Sequence, residues 1–267
     1  MARLGSNLKV WSFALNCFSL FDPGRERKIS VLRDIAIANV LLSAALATWS
    51  VVDVNRRPPA MSVMKWVWPL TFLWGGLFAL AMYLWFGRSP ATLPSHENHH
   101  PHDHMHGHEH GHGHGSRRFW QSVALGATHC GAGCTLADIL TESAMYFLGW
   151  NFVVLGHAVF GNWLVDYIMA LIIGVVFQYG AQAPMSSAPR AIVWWQSFKS
   201  DALSLTSWQI GMYGWMAICI FVLFRPNSMH PDHWLFWWMM QIAMFCGFLT
   251  AYPTNWALIR MGVKEAM

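Results

Sequence analysis

Apolar residues in this chain come in runs far longer than a soluble core requires. "IAIANVLLSAALATWSVV" (35 to 52) and "WVWPLTFLWGGLFALAMYLWF" (66 to 86) contain no ionised side chain. A bilayer core about 30 Å thick is crossed by roughly 20 helical residues. The pattern predicts six spans, near 34 to 54, 65 to 86, 120 to 148, 153 to 180, 205 to 224 and 234 to 252. Polar breaks separate them: "NRRPPAMS" after the first, "AQAPMSSAPR" after the fourth and "FRPNSMHPDH" after the fifth. The third is predicted to be kinked or split into two half-helices, because Gly126, Gly131 and Gly133 fall inside it.

Composition supports this reading. Of the 267 residues, 55% are hydrophobic and only 11% charged, against roughly 25% charged in soluble domains. The 17 Trp, many near span ends, fit an interfacial aromatic belt. The expected fold is all-α: a polytopic transmembrane helical bundle with a disordered His-rich cytoplasmic loop. It divides into 1 to 86 (an N-terminal segment and two spans), 87 to 118 (the loop) and 119 to 267 (a four-helix membrane domain). The N-terminal "LKVWSFALNCFSLF" lacks a small-residue cleavage site and reads as a retained interfacial or short helix. Six spans put both termini on one face. That face carries thirteen Lys and Arg against four on the other, so both termini are expected in the cytoplasm. The net charge of +4 is spread through short loops and forms no dense basic face, so nucleic acid is not an expected partner.

The loop holds ten of the fourteen histidines between 96 and 114. His99, His100, His102, His104, His106, His108, His110, His112 and His114 alternate largely with Gly, Asp and Glu, a composition that cannot build a core. Neutral imidazole is a common ligand for zinc, copper and nickel, so the loop is a candidate metal collector. A polar linker tolerant of histidine is the plainer alternative.

The third span carries the densest chemistry, in "GATHCGAGCTLADILTESAMY". Steps of three and four place Cys130, Cys134, Asp138, Thr141 and Met145 on one helical face, with Glu142 beside it and His129 on its flank. If the helix starts near Phe119, Cys130 lies about 16 Å along it, near mid-membrane. An Asp at a span centre costs roughly 2.5–3.5 kcal/mol to insert, so such groups face a cavity or a partner. Two thiols leading to two carboxylates suit a cation moving along a path, with Asp166 of the fourth span across from them. Buried packing is the alternative, since Cys is a good small core residue. Softer hints read as packing or boundary chemistry. Met212, Met216 and Cys219 form a stripe with Gln209; Met240 and Met244 share a face, as do Met239 and Cys246. Asp201 is expected to begin or cap the fifth helix, and His230 and His233 to sit in a turn. Pro253 is expected to end the sixth span, with Arg260 and Lys264 anchoring the tail at the interface.

The motifs "THCGAGCTLADI", "GNWLVDY", "SLTSWQIGMYGWM" and "AYPTNWALIRMGVKEAM", in this order, resemble a bacterial membrane-protein family catalogued only as a domain of unknown function. The resemblance runs from about 118 to the end. It implies a polytopic inner-membrane domain and brings no activity, substrate or functional residue. The His-rich loop is similar in composition to cytoplasmic loops of cation diffusion facilitators, whose paired His/Asp motifs are not visible here.

Three functions follow. The first is binding or transport of a transition-metal cation, copper or zinc, through Cys130, Cys134, Asp138, Glu142 and Asp166, with the loop as collector. The second is a membrane thiol–disulfide oxidoreductase using Cys130 and Cys134, which requires the helix to break at Gly131 or Gly133. The third is a non-catalytic scaffold or assembly factor. The first is favoured, and an enzyme is the less favoured class. Partners are the bilayer, a metal ion and, beyond these, a second copy of the chain or other membrane proteins.

Overall fold

The computed structural model describes residues 23–59, 61–89, 118–150, 152–183, 186–224 and 230–264. The N-terminal segment before Pro23 and the histidine stretch from 96 to 114 lie outside the described residues. The rest is an all-α transmembrane bundle in which six helical segments are long and apolar enough to cross a membrane.

Helix α1, Pro23–Arg56, ends just before Pro58 and Pro59. Proline lacks the N–H that would continue the ladder and steers the preceding residue away from helical geometry. Helix α2, Met64–Met82, continues through a π-helical turn, Tyr83–Gly87. It is not straight. Gly76 has φ 47° and ψ −122°, a conformation open to glycine because it has no Cβ. The chain doubles back there. A Cβ on Gly75 would stand 2.8 Å from that of Ala79, and the Trp68 and Tyr83 rings meet at 4.9 Å. The Trp68 indole also fills the space beside Gly87, although in a straight helix these residues would be about 28 Å apart. The returning arm is latched to the end of α1. Asp53 accepts from Tyr83 Oη at 2.8 Å and from Arg88 Nε and Nη2 at 2.9 and 2.6 Å. These bonds hold the Arg88 guanidinium above its ordinary pKa.

Helix α3, Phe119–Leu148, is the centre of the bundle, buried almost continuously from Ser122 to Asp138. The predicted kink or split does not occur: α3 is one uninterrupted helix, closed by Gly149 at φ 63°. Its glycines instead let neighbours approach. The Trp208 ring lies against Gly131, a Cβ on Gly133 would stand 3.3 Å from Gly174 Cα, and one on Gly126 would stand 3.7 Å from Lys264 Cε. Close approach through small residues is the general device for packing helices in lipid.

Helix α4 is Ala158–Gln182, and α5 is Arg190–Ile218 with a π-helical turn to Leu223. Helix α6, Trp234–Arg260, continues without a break through Pro253. Two boundary expectations therefore change. The fifth helix starts at Arg190, so Asp201 is deep inside it and fully buried instead of capping it. Pro253 does not end the sixth span, because neighbouring helices hold the segment in line despite the missing N–H. After Arg260 a tight turn, with Gly262 at φ 71°, folds the chain back. The amides of Val263 and Lys264 both donate to Leu258 O, at 3.0 and 3.2 Å.

Candidate functional site

The α3 face predicted from spacing points inward. Cys130 and Cys134 are fully buried, and Asp138, Thr141 and Met145 nearly so. Helices α4, α5 and α6 surround it with polar groups in two clusters.

The first cluster lies around Cys130. Its Sγ is 3.0 Å from Ser204 Oγ, 3.4 Å from Asp201 Oδ1 and 3.4 Å from Lys264 Nζ. The Lys264 ammonium also donates to Asn255 Oδ1 at 2.8 Å and Gly126 O at 3.3 Å. Asn255 Nδ2 donates to Ser204 Oγ at 2.7 Å and Ala251 O at 2.9 Å, which turns its carbonyl oxygen toward the lysine. A cation at the tail's end thus reaches the bundle interior. Lys264 is buried there, contrary to the interfacial anchor expected of it.

The second cluster lies two turns further along α3. Asp138 faces Asp166 of α4, with the two carboxyls within hydrogen-bonding reach of one another. Tyr213 Oη donates to Asp166 Oδ2 and to Trp163 O, both at 2.8 Å, and its ring stacks on Trp163 at 4.8 Å. Asp138 Oδ2 and Asp166 Oδ1 are buried with no hydrogen-bond partner among the described residues. Neither carboxyl has a Lys or Arg ion-pair partner among those residues. Asp138 also borders a cavity of about 120 Å³ with largely apolar walls, lined by Val40, Leu73, Trp74, Thr135 and Gln241 among others. Gln241 ties this region together, accepting from Asn39 at 2.7 Å and donating to Leu73 O, just before the fold-back, at 2.6 Å.

The predicted residues are therefore only partly gathered. Asp138 and Asp166 meet, and Cys134 is buried one turn before Asp138 on the same helix. Glu142, one turn beyond Asp138, is half-buried. His129 turns aside to the Phe177 ring at 6.0 Å, both imidazole nitrogens lacking partners among the described residues. Among the described residues no three His, Cys, Asp or Glu side chains converge as a metal-ligand group. Cys130 and Cys134 are free thiols one turn apart on an unbroken helix, without the break that a dithiol mechanism needs. His99 to His114 lie outside the described residues. Sequence reasoning missed Lys264, Asp201, Asn255, Ser204 and Tyr213. The one available signal was Asp201 itself, an acid inside the long helical pattern of α5.

A family model described as Domain of unknown function (DUF4396) matches residues 119–264, from the first residue of α3 to the buried lysine. No curated protein and no solved structure matches the chain.

Proposed function

The chain belongs to the family described as Domain of unknown function (DUF4396), and from its interior we propose that it passes a cation through the membrane along α3. The Asp138–Asp166 pair is the intramembrane stopping point. One observation carries this: two facing buried carboxyls, Asp138 at the wall of a cavity, each with one unpartnered oxygen and neither with a basic group paired to it among the described residues. Like charges at contact in a low-dielectric interior repel strongly, so the arrangement is complete when a cation or proton joins the two oxygens. Structural acids in membranes are usually neutralised within the bundle, as Asp53 is by Arg88.

In this proposal the cavity beside Asp138 is the approach from one side. The path continues past Cys134 and ends at Cys130, where Lys264 closes it. The cargo is a transition-metal ion, copper or zinc, because the ten-histidine stretch supplies imidazoles suited to collecting such ions. Carboxylates with a single nearby thiol suit a site that must release its ion more than one that stores it. In this proposal the fold-back of α2 leaves Arg88 at the Lys264 end of the bundle and Pro23 at the other. The bacterial inner membrane is the proposed location, on the strength of the family resemblance.

A scaffold function is the second reading, favoured by the polar bonds between helices, such as Ser207 to Thr250 O at 2.8 Å and Thr250 to Ser207 O at 2.6 Å. The test is Asp138→Asn with Asp166→Asn, which keep side-chain volume and remove charge. Metal content of cells and metal bound to purified protein are measured at matched protein levels. A large loss of metal accumulation with normal folded yield supports transport. Unchanged metal content and binding refute it, and a fall in folded yield alone favours the scaffold.

A further inference from the structure

The segment after α6 is arranged opposite to ordinary expectation for a chain end. Its apolar residues are outside, with Met261 65% and Val263 41% exposed, while its lysine is 2% exposed. The ammonium is what docks this turn into the bundle. Around it stand the Asn255 amide oxygen at 2.8 Å, the Gly126 carbonyl at 3.3 Å and the Cys130 sulfur at 3.4 Å. Ser204 Oγ and Asp201 Oδ1 lie behind the sulfur, at 3.0 and 3.4 Å from it. Asp201 makes no direct ion pair with Lys264 among the described residues, and its Oδ2 is buried without a hydrogen-bond partner among them.

We propose that this pocket is a binding site for a hard monovalent cation, sodium or potassium, and that Lys264 is its tethered occupant. At the ammonium itself two oxygens, the Asn255 amide and the Gly126 carbonyl, outnumber the single sulfur, which suits a hard ion over a soft one. One carboxylate balances one positive charge, whereas a divalent ion would leave net charge in the interior. Four backbone amides hold the turn: Met261 donates to Ala257 O, Gly262 to Ile259 O, and Val263 and Lys264 to Leu258 O. Gly262, at φ 71°, is the place where the tether can swing, since even a Cβ there would meet nothing within 4 Å. When the turn lifts, Asp201 loses its nearby positive charge unless an ion enters, so ion and lysine exchange at one place. The proposal goes beyond the Asp138–Asp166 path and does not depend on which ion moves along it.

The experiment compares full-length wild type with Lys264→Met, which keeps the aliphatic stem and removes the charge. Thermal-unfolding midpoints in detergent are measured in sodium, potassium and choline chloride at equal ionic strength. Lys264→Met gains a saturable rise of a few degrees in sodium or potassium over choline, the wild type shows none, and adding Asp201→Asn abolishes the gain. Equal midpoints for Lys264→Met in all three salts overturn the proposal. If Lys264→Met folds only when an alkali cation is present, the proposal stands. If neither it nor Lys264→Gln folds in any salt, the ammonium is not exchangeable and the proposal falls. Because the readout is binding without transport, it fails or succeeds separately from the metal-content test.

Discussion

Replacing Gly76 with alanine is the most direct perturbation of the fold-back in α2. At φ 47° and ψ −122° an L-residue is strained, and such conformations cost about 1–3 kcal/mol. The added Cβ would stand 3.0 Å from Ser43 Oγ, so α1 leaves little room for relief. At about 2–4 °C per kcal/mol for a chain of this size, the unfolding midpoint should drop by roughly 2–12 °C. Gly214→Ala is the control, since nothing lies within 4 Å of its position and helix propensity favours alanine by about 0.5–1 kcal/mol. The same geometry makes a topological demand. A straight Met64–Gly87 helix would separate its ends by about 36 Å and put them on opposite faces, whereas the fold-back puts them together. Single cysteines at Ser62 and Ser89, with Cys17 replaced by serine, should therefore both react with an impermeant maleimide from the same face. The native thiols Cys130, Cys134 and Cys219 are buried and Cys246 is half-buried, which keeps the background low. Labelling from opposite faces, or a Gly76→Ala midpoint no lower than that of Gly214→Ala, would refute the reasoning.

Gly174→Ala would drive a Cβ into the Asp201 carboxylate, an overpacking that costs about 1–3 kcal/mol. Gly180→Ala on the same helix meets nothing and should be neutral or stabilising; equal midpoints for the two would show that α4 and α5 are not in contact there. Gln241→Leu removes the link between Asn39 and Leu73 O and leaves an unpartnered carbonyl, at about 1–3 kcal/mol. Its effect should be read as faster hydrogen exchange around residues 73 to 78, and unchanged exchange there would remove Gln241 as the tie.

How much was legible varied with the physical range of the signal. The direction of the Cys130–Asp138 face follows from helical period and the insertion cost of an acid, both local, and that face is indeed the buried one. Asp166 opposite Asp138 could be named because both are acids in apolar runs. Lys264 could not, because the turn that returns it depends on Gly262 and on a pocket assembled from α3, α5 and α6. The α3 glycines misled for a related reason. Intrinsic propensity counts them as weak points, and only the Trp208 and Gly174 neighbours show them to be places of close approach.

By itself the sequence determined the solvent this chain folds in and the elements that solvent permits. Long uncharged runs must satisfy their backbone bonds internally, so they become helices, and inserted acids must turn inward. Tertiary structure decided which acids meet and which cation stands near which carboxylate. It also decided whether a 24-residue apolar segment crosses or returns. Those outcomes rest on contacts between residues distant in the chain and on the single torsional choice at Gly76, and neither is written in the apolar period.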